Sequence, residues 1–542
     1  MLPRLQLPPS HAALILIALA FVAPGLVGHD PWRAIDVIAI EVVHQMQLSG
    51  DWVVPRLAGG AWLEDPPFYH WTALAFAKAL GWLLGFHNAV RIASGVAVLA
   101  ALWFLYLAAR NFSPRDERRT AATSATLLLL GSVGLIVHAH EAVPDLATLA
   151  ASCAAFAFLV SSHEKPIKTG LAFGASLGIA FLSTGPVMPA VLVVVALLAH
   201  AVCDEWRTPK ALRFLAAAAG AFAVLAASWP IALALRAPEL APAWWSVATQ
   251  PRGEFGANLR YYLATASWFA WPAWPLAAWA AWRLRREWRA PRVFVPLAAA
   301  LLALPAIAWA GPRQDINAIV LLAPLALLGA HGVAHLRRGA ANALDWFGVM
   351  TFGFFAGLVW LGYLAMMSGV PPRVAHNFVK SAPGFVAHFE PVPFLVALAL
   401  TLAWLYLAFF TAPSPTRGVT RWAAGVALLW GTFATLWLPW ADYLKSYQGV
   451  ALQLKSVIPA GAGCIAQSEL GSAQRAALSY HAGIRMEPLQ AAAPRDPPCR
   501  LVIVQGSPRR EISPGPGWRK LADLGRPGDK SERLRLYRNA AR

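Results

Sequence analysis

The chain is expected to fold as an all-α polytopic membrane protein with a small α/β domain at its C-terminus, and three observations lead there. Hydrophobic residues make up 58% and charged residues 13% of its 542 positions, whereas roughly a quarter of an ordinary soluble domain is charged. Stretches such as Ala12 to Val27, Leu127 to Val137 and Phe214 to Leu235 are apolar on nearly every face, the pattern of a helix solvated by lipid. Residues 441–542 lose that character and read as a soluble domain, with a strand at Leu501 to Val504 and a helical pattern from Ser472 to Tyr480.

Apolar runs of about 17 to 24 residues give about thirteen candidate spans. They centre near positions 19, 100, 128, 152, 175, 194, 224, 272, 301, 324, 355, 401 and 431. The net charge of +18 does not mark a nucleic-acid binder, because the basic residues sit in short clusters between the spans. Alternate connections carry them: Arg110 with Arg115, Arg118 and Arg119; Lys165 with Lys168; Arg207, Lys210 and Arg213; Arg283 through Arg292; Arg337 with Arg338; Arg417 with Arg421. The positive-inside rule makes these loops cytoplasmic. Arg4 puts the N-terminus inside as well, and an odd number of spans then leaves the C-terminal domain outside, periplasmic in a bacterial inner membrane. The first span also has the outline of a signal peptide, but no A-x-A cleavage site follows it.

The membrane domain is thus 1–440, with a long first external loop at 29–90, and the external domain is 441–542. Cys153 and Cys203 lie in or beside spans, where a buried thiol is the plain reading. Cys464 and Cys499 both fall in the exported domain, which permits a disulfide closing a loop of about 35 residues.

External loops concentrate function, and the first is dense in polar groups: His29, Asp30, Arg33, Asp36, Glu41, His44, Asp51, Glu64 and Asp65. Ile35 to Leu48 has helical spacing, and Pro66-Pro67 fixes the chain just after two carboxylates. The run Asp30-Pro31-Trp32-Arg33, then Ser49-Gly50-Asp51-Trp52-Val53-Val54-Pro55, then Leu63-Glu64-Asp65-Pro66-Pro67-Phe68-Tyr69 resembles the first external loop of bacterial lipid-linked-sugar glycosyltransferases. This is the family of the lipid A aminoarabinose transferase and, more distantly, the protein O-mannosyltransferases, with the GT-C fold. Shorter similarities follow in the same order at His138 to Leu146, Gly185-Pro186-Val187, Tyr261-Tyr262-Leu263 and Ala323 to Leu328.

The resemblance implies transfer of a sugar from a polyprenyl-phosphate carrier to a lipid, glycan or protein acceptor on the external side, with inversion at the anomeric carbon. An acceptor hydroxyl needs a carboxylate base, and the departing phosphate needs cations. By register Asp36 takes the second acidic position of the family's paired acids, with Asp30 as its rival for the base; Asp145 and Glu64 match further acidic positions. Three positions depart from the pattern: Ile35 stands where an acid is usual, and Asp65 and Thr184 where lysines are usual. Arg313 and Arg260 are the candidates to replace the lost cations, with Tyr261, Tyr262, His140 and Glu141 as further substrate-binding residues. His138, His140 and Glu141 also have a spacing that admits a divalent metal without diagnosing one. Plainer roles stand beside these: a solvated acid for Asp36, helix capping for Asp145, snorkelling for Arg260. Two other functions compete, a relative that binds a lipid-linked glycan without transferring it, and a transporter. The gathering of polar residues at one face speaks against transport.

Overall fold

The computed structural model describes residues 10–32, 34–459, 461–488 and 499–539; Arg4 and Arg33 lie outside the described residues. Among those described, seven helices are long and apolar enough to cross a membrane, or eight if the bent pair Arg417–Leu436 and Leu438–Val457 is one span. The helices His11–Val22, Pro144–Leu159 and Val187–Val202 are apolar but shorter. The run expected near position 272 is broken into Phe255–Phe269 and Ala273–Arg283, because Pro272 has no N–H to continue the helical ladder. A 17-residue helix, Phe68–Leu84, lies inside what reads from sequence as one external loop.

Small residues let the helices approach closely, as they must where lipid offers no hydrophobic drive for association. Gly170, Gly174 and Gly178 recur every fourth residue on Pro166–Thr184 and face Lys210–Arg236. A Cβ at Gly174 would stand 2.2 Å from the Ala218 carbonyl oxygen, and one at Gly170 2.4 Å from that of Phe214. The largest core cluster runs through the whole helical body. One buried ion cluster interrupts it: Arg417 Nη2 and Arg421 Nη1 both meet Asp345 Oδ2, at 2.7 and 2.8 Å.

The first external segment folds back as the helix Ile35–Ser49, which buries Val37, Ile40, Val43 and Met46. These pack with the helix Phe68–Leu84 and with Ala473, Ala476 and Ala477 of the C-terminal domain. Polar contacts fix the same interface. Glu41 is fully buried and accepts from Ser479 Oγ at 2.5 Å and Gln45 Nε2 at 2.7 Å. Ser446 Oγ donates to Asp30 Oδ2 at 2.5 Å, and the Trp32 indole to Asp442 Oδ1 at 2.7 Å.

The C-terminal domain is a five-stranded sheet in the order Glu487–Pro488, Ile465–Ser468, Leu501–Gly506, Arg533–Asn539, Trp518–Leu524. The first three strands are parallel and the last two join antiparallel. The helix Ser472–Ala482 connects within the parallel part and carries the docking face. Cys464 and Cys499 precede two neighbouring parallel strands and are joined by a disulfide. Because the bridge closes a 35-residue separation, Cys464→Ser with Cys499→Ser should cost this domain about 2–4 kcal/mol. Urea unfolding of the full chain in detergent, followed by proteolysis of the domain, reads that loss; no change in midpoint would refute it.

Candidate active site

A cavity of about 560 Å³ opens where the first loop, several helix ends and the C-terminal domain meet. Ile35 and Ile38 line it together with Pro144, Asp145, Thr184 and Val187. Glu64 and Asp65 come in from the first loop, Arg252 from the second, and Pro312, Gln314, Ile316 and Asn317 from the segment before the helix Leu322–Ala334. Gly471 to Gln474, at the start of the helix Ser472–Ala482, complete the lining. Gln474 is held from behind, its amide donating to Glu532 Oε1 at 2.6 Å.

Ile35, Asp65 and Thr184 all line this cavity. The three positions that depart from the family pattern therefore fall in one chamber, on three different elements. Thr184 Oγ1 bonds Thr148 Oγ1 at 2.8 Å, a neutral pair where a lysine would bring charge.

Three carboxylates share the space. Glu64 Oε2 accepts from Arg252 Nη1 at 2.5 Å. Asp65 Oδ2 accepts only a long 3.3 Å bond from the Trp62 indole. Enclosure in the wall and then the nearby Asp145 carboxylate, which outweigh Trp62 and Arg252, push the Asp65 pKa up to about 7. Asp145 sits in the first turn of Pro144–Leu159, directly after Pro144.

His138 lies nearby, its Nδ1 3.0 Å from Glu141 Oε2 and its Nε2 3.8 Å from Asp315 Oδ2. Burial works against its charge, but bonds to Asp315 and Glu141 outweigh it and raise the pKa to about 9. His138 is therefore an imidazolium at neutral pH, within Coulombic reach of Asp145.

Several residues singled out by sequence take other places. Asp36 is fully buried and does not line the cavity. It accepts from Arg91 Nε at 3.1 Å and Nη2 at 2.7 Å, from the Trp32 amide at 3.0 Å and from the Ala142 amide at 2.7 Å. Burial alone would raise its pKa, but Arg91 holds it below the ordinary carboxylate value. A carboxylate with every lone pair engaged and no access to the cavity is a poor base, so Asp36 is a structural anchor. Arg91 completes the anchor by donating to the carbonyls of His29 and Asp30, both at 2.8 Å. Asp30 is likewise used in docking, on Ser446.

His140 points away from Glu141: its Nδ1 faces the Ile136 carbonyl and its Nε2 that of Phe21, both at 2.8 Å, with the ring stacked on Trp430. The set His138, His140 and Glu141 thus does not converge on a metal. Among the described residues the only close His, Cys, Asp or Glu triad is Cys464, Glu487 and Cys499, whose sulfurs are spent in the disulfide. Glu141 serves His138. Tyr262 is fully buried, donating to the Pro312 carbonyl at 2.5 Å and accepting from Asn317 at 2.9 Å, so it fastens the cavity rim from outside. Tyr261 packs against the helical core. Arg260 is exposed and off the cavity. Arg313 is exposed at the rim between lining residues Pro312 and Gln314, with its Nε on Asn258 Oδ1 at 3.0 Å.

The lining cation that sequence reasoning missed is Arg252. Its signal was available: it is the single basic residue between Ala237 and Glu254, on a side where the positive-inside rule expects few. Gly253 after it has φ +80°, which turns the chain so that Arg252 reaches Glu64.

Residues 64–232 match the family described as dolichyl-phosphate-mannose-protein mannosyltransferase. The chain is 28% identical over 452 residues to an undecaprenyl phosphate-alpha-4-amino-4-deoxy-L-arabinose arabinosyl transferase of Aeromonas salmonicida, covering 79% of this chain and 76% of that protein. It is also 28% identical over 446 residues to the enzyme of the same name from Pseudomonas aeruginosa, covering 78% and 74%. In fold it is similar to the crystal structure of ArnT from Cupriavidus metallidurans bound to undecaprenyl phosphate, with a TM-score of 0.69 at 18% identity and 97% of each chain covered.

Proposed function

We propose that this chain, which is a membrane glycosyltransferase related to the lipid A aminoarabinose transferases and protein O-mannosyltransferases, moves an amino sugar from undecaprenyl phosphate to an acceptor hydroxyl on the external side. The observation that carries the reading is the convergence of Glu64, Asp65, Asp145 and Arg252 on one external cavity. Curated relatives are named for a 4-amino-4-deoxy-arabinose donor, and a chamber with three carboxylates suits the ammonium of such a sugar.

In the proposed reaction the acceptor oxygen attacks the anomeric carbon, forming the new C–O bond. The bond to the carrier phosphate breaks, and the phosphate leaves with the electron pair, stabilised by Arg252 and approached by Arg313 at the rim. Asp65 takes the hydroxyl proton, since a carboxylate with a pKa near the working pH makes an effective base. Asp145 orients the sugar amine with Glu64. Thirteen spans with an inside N-terminus and an outside C-terminal domain would put this cavity at the periplasmic face, as the basic loops require.

The full chain in proteoliposomes, given radiolabelled undecaprenyl-phosphate aminoarabinose and hydroxyl-bearing lipid acceptors, should transfer label to lipid. Ile35, lining the cavity where the family has an acid, favours a second reading in which the chain binds the donor without transfer. Binding of undecaprenyl phosphate with no transfer from any sugar donor would select that reading and end the first. Arg252→Gln should weaken undecaprenyl phosphate binding about 10- to 100-fold, the worth of a charge-assisted hydrogen bond. Unchanged affinity on titration in detergent would place the phosphate elsewhere.

A further inference from the structure

A second cavity, of about 620 Å³, shares no lining residue with the first and lies between the helices His11–Val22, Pro391–Phe410 and Arg417–Leu436. Most of it is apolar, lined by side chains such as Leu400, Ala403 and Trp404, and its size is that of a pocket for a drug-sized apolar group. Leu16 and Val396, which line it, are 67% and 38% exposed, so it opens toward the bilayer. One end is different in kind: Thr416, Arg417 and Arg421 line it, on the side the basic loops assign to the cytoplasm.

The charge at that end is unbalanced. Arg417 and Arg421 share the single carboxylate of Asp345, which leaves one positive charge in excess. Both arginines stand in the first turns of Arg417–Leu436, whose N-cap Thr416 makes no side-chain cap bond. The positive end of a helix dipole therefore adds to the guanidinium charges instead of opposing them. Arg421 is only 9% exposed, so water does little to screen it. An apolar slot open to lipid, closed at its cytoplasmic end by a buried cation, matches one occupant in both parts.

We propose that this cavity binds an anionic phospholipid of the cytoplasmic leaflet, with an acyl chain along Leu400 and Trp404 and the headgroup phosphate on Arg417 and Arg421. The site is separate from the glycosyl-transfer cavity and does not depend on that reaction.

The test uses delipidated full-length protein in detergent, titrated with phosphatidylglycerol, phosphatidylcholine or undecaprenyl phosphate and read by native mass spectrometry. One excess charge near the membrane surface should make phosphatidylglycerol bind about fivefold more tightly than phosphatidylcholine. The triple variant Arg417→Gln, Arg421→Gln, Asp345→Asn strands no charge and should lose that preference. Ala403→Trp, which fills the slot, should remove binding of the lipid while leaving the thermal unfolding midpoint unchanged. Equal binding of the two phospholipids, a preference that survives in the triple variant, or displacement of phosphatidylglycerol by undecaprenyl phosphate at this slot would each overturn the proposal.

Discussion

Asp65→Asn is expected to lower the transfer rate about 10² to 10⁴-fold, the usual contribution of a positioned general base. The substitution keeps the shape of the side chain and its contact with Trp62, so undecaprenyl phosphate affinity should stay within about twofold, less than the smallest effect of one lost hydrogen bond. Two pH experiments separate this role from a structural one. In the native chain kcat/KM should rise with pH through about 7, where Asp65 loses its proton, and in Asp65→Asn the profile should be flat across that range. The stability effect runs the opposite way. A carboxyl group whose pKa is raised by folding favours the folded state below its ordinary value, and that contribution is lost as pH rises through about 7. Asp65→Asn should therefore melt higher than the native chain at pH 8 and about equal to it at low pH. A variant that keeps native transfer rates, or one that melts lower at pH 8, would remove Asp65 from the mechanism.

The second large effect concerns the anchor of the first loop. Arg91→Met leaves the Asp36 carboxylate buried without its partner, and breaking a buried pair in this way costs about 3–5 kcal/mol. Asp36→Leu alone should be nearly as harmful, since it strands Arg91. The double variant should recover much of the loss, because two apolar groups of similar volume leave no charge behind. The pair also has a pH signature. Asp36 is held below the ordinary carboxylate value, so its contribution is present above that value and disappears as pH falls through the depressed one. Thermal melts of the four proteins in detergent give the cycle. Additive single effects, with no recovery in the double variant, would show that the pair does not act as a unit.

Much of this architecture was legible in the sequence. The apolar runs announced a mostly helical body, and the strand near Leu501 and the helix from Ser472 are both in the structure. Glu64 and Asp145, chosen by register, both line the cavity. Register placed Asp36 along the chain but not its partner: Arg91, which it meets in a buried pair, lies 55 residues later. Even so, a lone arginine near the start of the apolar helix Phe86–Phe112 was a signal that some carboxylate must meet it. The helix Phe68–Leu84 was missed because His70, Lys78 and the preceding prolines gave it the look of a loop. Asp65, marked by sequence as a structural departure, gains its chemical interest only from enclosure beside Asp145, which no spacing along the chain reports.

The lining residues Gly471 to Gln474 belong to the final stretch of the polypeptide, and this has a consequence for how the protein is made. Ribosomes deliver the spans first, and in the topology read from the basic loops the remaining residues must still cross the membrane. During that interval the chamber lacks the part of its lining that Gly471 to Gln474 supply, and neither Ser479 nor Ser446 is present to tether the first loop. A nascent or truncated chain therefore cannot present a finished site to the lipid pool around it. If residues 441–542 are exported as the basic loops lead one to expect, stalling that export should yield inserted but inactive protein.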